Sequence, residues 1–216
     1  MMRTYSPVTA NLNRLFNARP QSYVEEDCVM TFDFFSWRIP ALLAHVVPNL
    51  PRHGRRVLLI GCGEGLNAAW SLRNIVVGHS SSLVCVDVSD HMSQEGKFFE
   101  HNVSACGDTR KVRKLTGNLA DTGVLIANQE SSFDYIFADF SDLRLELDEQ
   151  VEFILQLLKP GGLLEVDRQH LHTTPLSAWL CKEGPSNAVI SKIMTANRVS
   201  MQALHASHHY IFQRVR

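Results

Sequence analysis

Three glycines, spaced two residues apart, follow directly on a short apolar run. The run is residues 57–60, the glycines are Gly61, Gly63 and Gly65, and an amphipathic pattern begins after them. This order predicts a buried strand, a tight turn and the start of a helix. Glycine at alternate positions removes the Cβ atoms where a ligand would lie against the backbone. The unpaired N–H groups at a helix start favour an anionic or electron-rich ligand.

A single acid ends the next predicted strand. Asp87 follows the apolar residues 83–86 and stands 22 residues after Gly65. A carboxylate at such a strand end can accept hydrogen bonds from the hydroxyl groups of a ribose. The glycines and Asp87 together predict a nucleoside-containing ligand at the carboxyl ends of a parallel sheet.

The glycine spacing separates two classes of nucleoside ligand. Proteins that bind dinucleotides use Gly-x-Gly-x-x-Gly, in which the third glycine lets the helix pack close. Here the spacing is Gly-x-Gly-x-Gly, and Leu66 stands where the third dinucleotide glycine would fall. This stretch resembles motif I of the class I S-adenosylmethionine-dependent methyltransferases.

Four further stretches are similar to later motifs of that family and follow its order. They are residues 86–92, 116–121, 133–139 and 157–167. The resemblance implies S-adenosylmethionine as the cofactor, Asp87 as the ribose acid, Met92 beside the adenine and Asn118 near its amino group. The implied cofactor contacts are Gly61, Cys62, Gly63, Glu64, Gly65, Asp87, Val88, Met92, Asn118 and Leu119. By their residue types alone, Met92 also fits a core position in a helix, and Asn118 also fits a simple turn.

One position departs from the family's pattern. The family usually has Asp or Glu two residues before the first glycine, where this chain has Leu59. The resemblance implies that this acid helps to hold the methionine end of the cofactor. Two consequences stay open, namely a weaker affinity for the cofactor or partial compensation by Glu64.

The candidate catalytic residues are Asp139 and His170. Asp139 ends the fourth predicted strand, and His170 follows the fifth. A histidine near neutral pH can take a proton from a phenol or carboxyl acceptor. Asp139 and Asp167 at neighbouring strand ends can also bind a divalent cation. Arg168 would compete for the same carboxylates and repel the ion, so we expect no metal.

Alternating strand and helix patterns predict the fold class. Strands are expected at 56–60, 83–87, 112–115, 135–138 and 163–166, and a closing hairpin at 199–206 and 209–215. Helices are expected at 64–77, after a cap at Ser89 or Asp90, at 148–158 and at 187–197. The alternation predicts a doubly wound α/β fold. With the resemblance, the expectation is a mostly parallel seven-stranded sheet, a Rossmann-like methyltransferase fold.

The predicted organisation is an N-terminal helical cap and linker at 1–54 and the cofactor-binding core at 55–216, within one structural domain. At 216 residues, one domain is the natural expectation. The cap reads as a helix over 23–47 that is interrupted at Pro40.

Composition limits the compartment and the partners. The net charge is −1, without a basic run, which argues against nucleic acid as partner. The five cysteines form no Cys-x-x-Cys pair, which favours a reducing compartment. No apolar run is long enough to span a membrane. We therefore expect a cytoplasmic protein that has no membrane association, and a homodimer stays open.

The leading hypothesis is an S-adenosylmethionine-dependent methyltransferase that acts on a small molecule, at oxygen, by in-line methyl transfer. Two alternatives remain. Leu59 favours a catalytically degenerate, methyltransferase-like binding protein. A glycine loop followed by an acid also fits an NAD-dependent oxidoreductase, although the third-glycine spacing of that class is missing.

Overall fold

A computed structural model describes most of the chain in seven ranges. These are residues 28–31, 35–117, 119–127, 132–138, 147–167, 201–206 and 209–215. Within these ranges, no helix is long and apolar enough to cross a lipid bilayer. The predicted helix at 187–197 lies outside them.

Seven strands form one sheet in the order β3-β2-β1-β4-β5-β7-β6. Their bounds are β1 Arg56–Ile60, β2 Ser82–Asp87, β3 Val112–Thr116, β4 Phe133–Ala138, β5 Leu158–Asp167, β6 Met201–Ala206 and β7 His209–Arg214. The first five strands are parallel to one another. Strand β7 runs antiparallel to both β5 and β6. The predicted doubly wound, mostly parallel seven-stranded sheet with a closing hairpin is confirmed.

Among the described residues, four helices of nine or more residues pack on the two faces of this sheet. They are α1 Leu66–Asn74, α2 Gln94–Cys106, α3 Leu119–Ala127 and α4 Leu147–Leu157. Helices α1 and α2 pack on one face, through side chains such as Trp70 and Phe99. Helices α3 and α4 pack on the other face, through side chains such as Ile126 and Ile154. Since both faces are covered, most side chains of β1, β2 and β4 are apolar and buried, as expected for a parallel sheet.

In the described part of the predicted cap, short helical pieces cover residues 36–49, whereas residues 28–31, predicted as part of the helix over 23–47, are not helical. Four pieces follow one another at Ser36–Arg38, Ile39–Ala41, Leu42–Val46 and Val47–Asn49. The predicted interruption at Pro40 is wrong, because Pro40 lies in the first turn of a helical piece. There its missing N–H has no helical partner to lose. This helical segment, residues 36–49, packs on the same face of the sheet as α1 and α2, through Ile39 and Leu42.

The predicted cap of α2 also needs correction. Ser93, and not Ser89 or Asp90, occupies the N-cap position, where its side chain accepts a hydrogen bond from the Gly96 N–H. Asp90 instead closes the preceding turn by accepting from the N–H groups of Met92 and Ser93. Its exposed carboxylate has a lowered pKa, chiefly because of these backbone hydrogen bonds.

A buried ion pair fastens the helical segment to the sheet. The Arg38 Nε donates to Glu165 Oε1 at 2.8 Å, and a second guanidinium nitrogen lies 2.7 Å from Oε2. The Tyr135 hydroxyl also donates to Glu165. The Arg38 guanidinium lies 3.8 Å from the ring centroid of Phe137. Burial raises the pKa of Tyr135 well above its usual value, and the Glu165 charge adds to this, so the phenol stays protonated as a donor.

Removing one member of this pair should strongly destabilise the fold. In Arg38→Met the Glu165 carboxylate, whose side chain is 0% exposed, would lose its counter-ion. An uncompensated buried charge costs about 3–5 kcal/mol. We expect urea denaturation to show a loss of this size in the free energy of unfolding.

The matched control is the double variant Arg38→Met/Glu165→Gln. It removes both charges and keeps an oxygen that accepts from Tyr135, so it should be more stable than Arg38→Met alone. A single variant as stable as the original protein would show that the ion pair does not hold the helical segment in place.

Candidate functional site

The candidate site lies where the strand order reverses. Strand β1 pairs with β2 on one side and with β4 on the other. The connections after β1 and β4 lead to helices on opposite faces. In open α/β sheets, ligands bind at the carboxyl ends of the strands where the connections diverge in this way. The glycine loop, residues 61–65, begins at this edge directly after β1.

All three loop glycines have left-handed backbone conformations. Their φ angles are 79° at Gly61, 48° at Gly63 and 84° at Gly65. The Gly61 N–H donates to the Val86 carbonyl at 2.9 Å, which joins the start of the loop to the end of β2. The loop therefore needs glycine for its shape and is held in place by the neighbouring strand.

The second and third glycines have different surroundings. A Cβ built on Gly65 would lie 2.9 Å from both Cα and Cδ2 of Phe99 in α2. A Cβ built on Gly63 would meet no atom within 4 Å. Packing against α2 therefore requires glycine at 65, whereas Gly63 presents its bare backbone to open space. That open space is where a ligand could lie against the loop.

Asp87 is bound to this loop. Its Oδ2 accepts from the Gly63 N–H at 2.6 Å, and its Oδ1 accepts from the Ser89 N–H at 2.8 Å. The residue is buried, with 6% of its surface exposed. An ionised carboxylate has about four acceptor positions. Two backbone donors thus orient Asp87 and leave acceptor capacity for a further partner.

Helix α1 begins at this loop without a side-chain cap. Gly65 occupies the N-cap position and has no side chain that could accept from the first turn. The first N–H groups of a helix have no partner within the helix, and they attract electron-rich groups. The end of the loop therefore offers backbone donors beside the open side of Gly63.

The side chain of Cys62 is not suited to act as a nucleophile. It is buried, and its Sγ donates to the Leu59 carbonyl at 3.3 Å. Burial, and next a hydrogen bond with Cys85, raise the pKa of Cys62 well above its usual value. A thiol that stays protonated is a poor nucleophile. Only the backbone of Cys62 can serve a ligand at the loop.

Two apolar side chains that follow Asp87 in sequence are exposed. Val88 is 47% exposed and Met92 is 67% exposed. Met92 lies in the turn before α2 and not in the helix, so its alternative interpretation as a core residue of a helix is wrong. Exposed apolar surface beside a polar site is suited to contact with a flat ring.

The end of β3 lies next to Asp87 through a backbone bond. The Gly117 N–H donates to the Asp87 carbonyl at 2.8 Å. Leu119, at the start of α3, is 1% exposed and packs in the core, so its side chain faces away from a ligand. Asn118, between them, lies outside the described residues.

The candidate catalytic residues are not among the residues that the structure describes. Both Asp139 and His170 fall in the gaps after β4 and β5. The backbone of Asp167 ends β5, next to β7. The catalytic roles of Asp139 and His170 stay predictions.

Sequence reasoning missed a polar cluster beside the loop. The side chain of Asn102 in α2 is fully buried. It accepts from the Val29 N–H and donates to the carbonyls of Val29 and Glu64, at 2.7–2.8 Å. The Glu64 carboxylate itself accepts from the Thr31 N–H at 2.6 Å. One signal was available, since Asn102 lies three residues after Phe99 and four before Cys106, on the apolar stripe of its helix.

Comparison with known proteins identifies the fold. No family model matches this chain, and no curated protein matches it. Among solved structures, the O-methyltransferase TomG from Streptomyces achromogenes, in complex with SAM, superposes with a TM-score of 0.67 at 16% identity, over 100% of this chain and 99% of that one.

Two further structures are similar. The O-methyltransferase from Bacillus cereus, in complex with SAH, gives a TM-score of 0.63 at 18% identity, over 97% of this chain and 90% of that one. The SAH-bound methyltransferase from Podospora anserina gives 0.55 at 18% identity, over 84% and 77%. The chain therefore has the Rossmann-like fold of these methyltransferases.

Proposed function

We propose that this protein is an S-adenosylmethionine-dependent methyltransferase that acts on a small molecule at oxygen. The observation that carries the proposal is the hydrogen bond between the Asp87 carboxylate and the Gly63 N–H. It joins the glycine loop to an acid at the strand end where a ribose would bind. Two of the solved structures with the same fold are O-methyltransferases, one with SAH and one with SAM bound. These structures support S-adenosylmethionine as the proposed ligand.

The residues present fit an adenosyl group. The spare acceptor positions of Asp87 suit the ribose hydroxyls. The exposed side chains of Val88 and Met92 suit the two-ring adenine, and Asn118 and the backbone at Leu119 lie in sequence next to Gly117, which is bound to Asp87. The open side of Gly63 and the uncapped start of α1 leave room and donors for the rest of the cofactor.

The cofactor brings a methyl group on a sulfonium, which is already a good leaving group. The chain's own contribution is then to align an acceptor oxygen with that methyl group and to exclude water. We propose that Asp139 or His170 takes the proton from the acceptor. We also retain the division into a helical cap at 1–54 and a cofactor-binding core at 55–216, with placement in the cytoplasm, as part of this proposal.

Calorimetry with S-adenosylhomocysteine tests the ligand, and Asp87→Asn tests the residue. We expect the intact protein to bind S-adenosylhomocysteine. Asp87→Asn should weaken binding by about 10- to 100-fold, because a hydrogen bond to a charged group contributes about 1.5–3 kcal/mol.

Asp134→Asn is the matched control for this experiment. Asp134 is also a buried carboxylate that accepts from a backbone N–H, that of Arg56, but it lies at the opposite end of the sheet. The folded Asp134→Asn variant should bind S-adenosylhomocysteine with unchanged affinity. Binding of NADH in place of S-adenosylhomocysteine would instead support an oxidoreductase.

The open side of Gly63 gives a second prediction. Gly63→Ala and Gly78→Ala both place a methyl group in open space on a residue with a positive φ, 48° and 85° respectively. Each should cost about 1–2 kcal/mol of stability, because side chains disfavour the left-handed region. Only Gly63→Ala should also weaken binding of S-adenosylhomocysteine, by about tenfold or more, in the same titration. Equal affinities of the two variants would show that the cofactor does not lie on the loop.

One observation supports a non-catalytic alternative. Leu59 is fully buried in the core, so its position offers no carboxylate to the cofactor. A protein of this kind could bind the cofactor without transferring the methyl group. Incubation with tritiated S-adenosylmethionine and a metabolite extract separates the two, since only an enzyme moves the label into a small molecule.

A further inference from the structure

We propose that Asn102 is a positioning residue that joins the segment 28–31 to the glycine loop and thereby places the Glu64 carboxylate for the cofactor's ammonium group. This inference rests on the proposed function, because it assigns a partner to Glu64 within the same site. It starts from Asn102, a polar side chain that lies fully buried on the otherwise apolar face of α2.

Burial makes the hydrogen bonds of Asn102 energetically decisive. A buried amide without partners is costly, whereas a satisfied one fixes a single arrangement of its neighbours. Both polar atoms of this side chain are engaged. Oδ1 accepts from the Val29 N–H, and Nδ2 donates both to the Val29 carbonyl and to the Glu64 carbonyl. One side chain thus binds two separate backbone segments, 73 and 38 residues away in sequence.

A second contact closes the connection. The Glu64 carboxylate accepts from the Thr31 N–H, two residues beyond Val29. Hydrogen bonds from Val29 through Asn102 and Glu64 to Thr31, closed by the backbone of residues 29–31, therefore form a ring at the edge of the glycine loop. Cys28 adds apolar packing to it, since its buried Sγ lies 3.5 Å from that of Cys106 in the same helix.

Charge gives this ring a chemical role. Glu64 lies between Gly63, which faces open space, and Gly65, which starts α1, and it is half-buried. The amino-acid end of S-adenosylmethionine carries an ammonium group. A carboxylate at the loop, limited to one position by Thr31 and by the fixed backbone at Asn102, is a suitable partner for that cation. A carboxylate held in advance binds more tightly than one that must be ordered on binding.

A double-mutant cycle tests whether Asn102 acts through Glu64. The variants are Asn102→Ala, Glu64→Gln and the double variant, titrated with S-adenosylhomocysteine in the calorimeter. We expect each single variant to weaken binding about tenfold and the double variant to be little weaker than either, because the two residues serve one interaction. The proposal is overturned if the two single effects on affinity multiply in the double variant. It is also overturned if Asn102→Ala binds S-adenosylhomocysteine with unchanged affinity.

The matched control is Val103→Ala, a truncation of the next residue in α2. Val103 is buried in the same core cluster and is not part of the hydrogen-bonded ring. The Val103→Ala variant should be less stable in urea and should bind S-adenosylhomocysteine with unchanged affinity. If Val103→Ala weakens binding as much as Asn102→Ala does, loosening of α2 is the cause, and the positioning role is refuted.

Amide hydrogen exchange gives a readout that needs no cofactor. We expect peptides that cover residues 28–31 to exchange about tenfold faster or more in Asn102→Ala, and at the original rate in Val103→Ala. Unchanged exchange in Asn102→Ala would overturn the joining role of Asn102. Failure of the unmodified protein to bind S-adenosylhomocysteine would refute the proposed function and the role of Glu64, while faster exchange would still support the link between the segment and the loop.

Discussion

The hydrogen bond from the Gly63 N–H to Asp87 is the contact on which the site depends. It joins the loop after β1 to the end of β2, and it exists only because the two strands are in register, with Ile60 opposite Val86. A slip of one residue would turn Asp87 to the other face of the sheet. The apolar core that fixes the register therefore also fixes the distance between the acid and the open glycine backbone.

Polar contacts, and not apolar packing alone, hold residues 28–31 and the helical segment 36–49 beside this site. Arg38 pairs with Glu165 at the carboxyl half of the sheet, and Asn102 binds Val29 next to the loop. The ion pair and the Asn102 side chain are buried, so each contact is favourable only in one geometry. Apolar surfaces tolerate sliding, whereas these contacts limit residues 28–31 and 36–49 to one position relative to the strand ends. The polar groups that hold these segments in place are therefore also the groups that cost most free energy to bury.

The strands were predictable because of how a parallel sheet is buried. Strand β1 has the predicted bounds, since an apolar run ends at the glycine loop. Strand β5 is longer than predicted, because Leu158 pairs with Phe133 ahead of a register shift, and a turn sequence such as Pro160-Gly161 gives no sign of that. The start of α2 was misplaced because three capping residues, Ser89, Asp90 and Ser93, compete locally. Only tertiary packing decides between them.

Partners distant in sequence explain what could not be predicted at the site. The position of Asn102 on the apolar stripe of its helix indicates burial, but nothing near it in sequence indicates a partner at Val29, 73 residues away. In the same way, Glu64 was interpretable as a loop acid but not as an acceptor for Thr31. Spacing of residue types indicates which groups can bind a ligand, whereas the contacts that orient those groups depend on the packed fold.

The glycine loop shows why similar residues need separate explanations. Gly65 is required by the protein itself, since any Cβ would collide with Phe99. Gly63 has no atom within 4 Å of a built Cβ, and it is glycine because its φ of 48° disfavours a side chain. The spacing Gly-x-Gly-x-Gly therefore combines a packing requirement at Gly65 with a conformational requirement at Gly63, and the second leaves open space beside the loop. The proposed function depends on Gly63, whose direct bond to Asp87 places the open backbone and the acid next to each other.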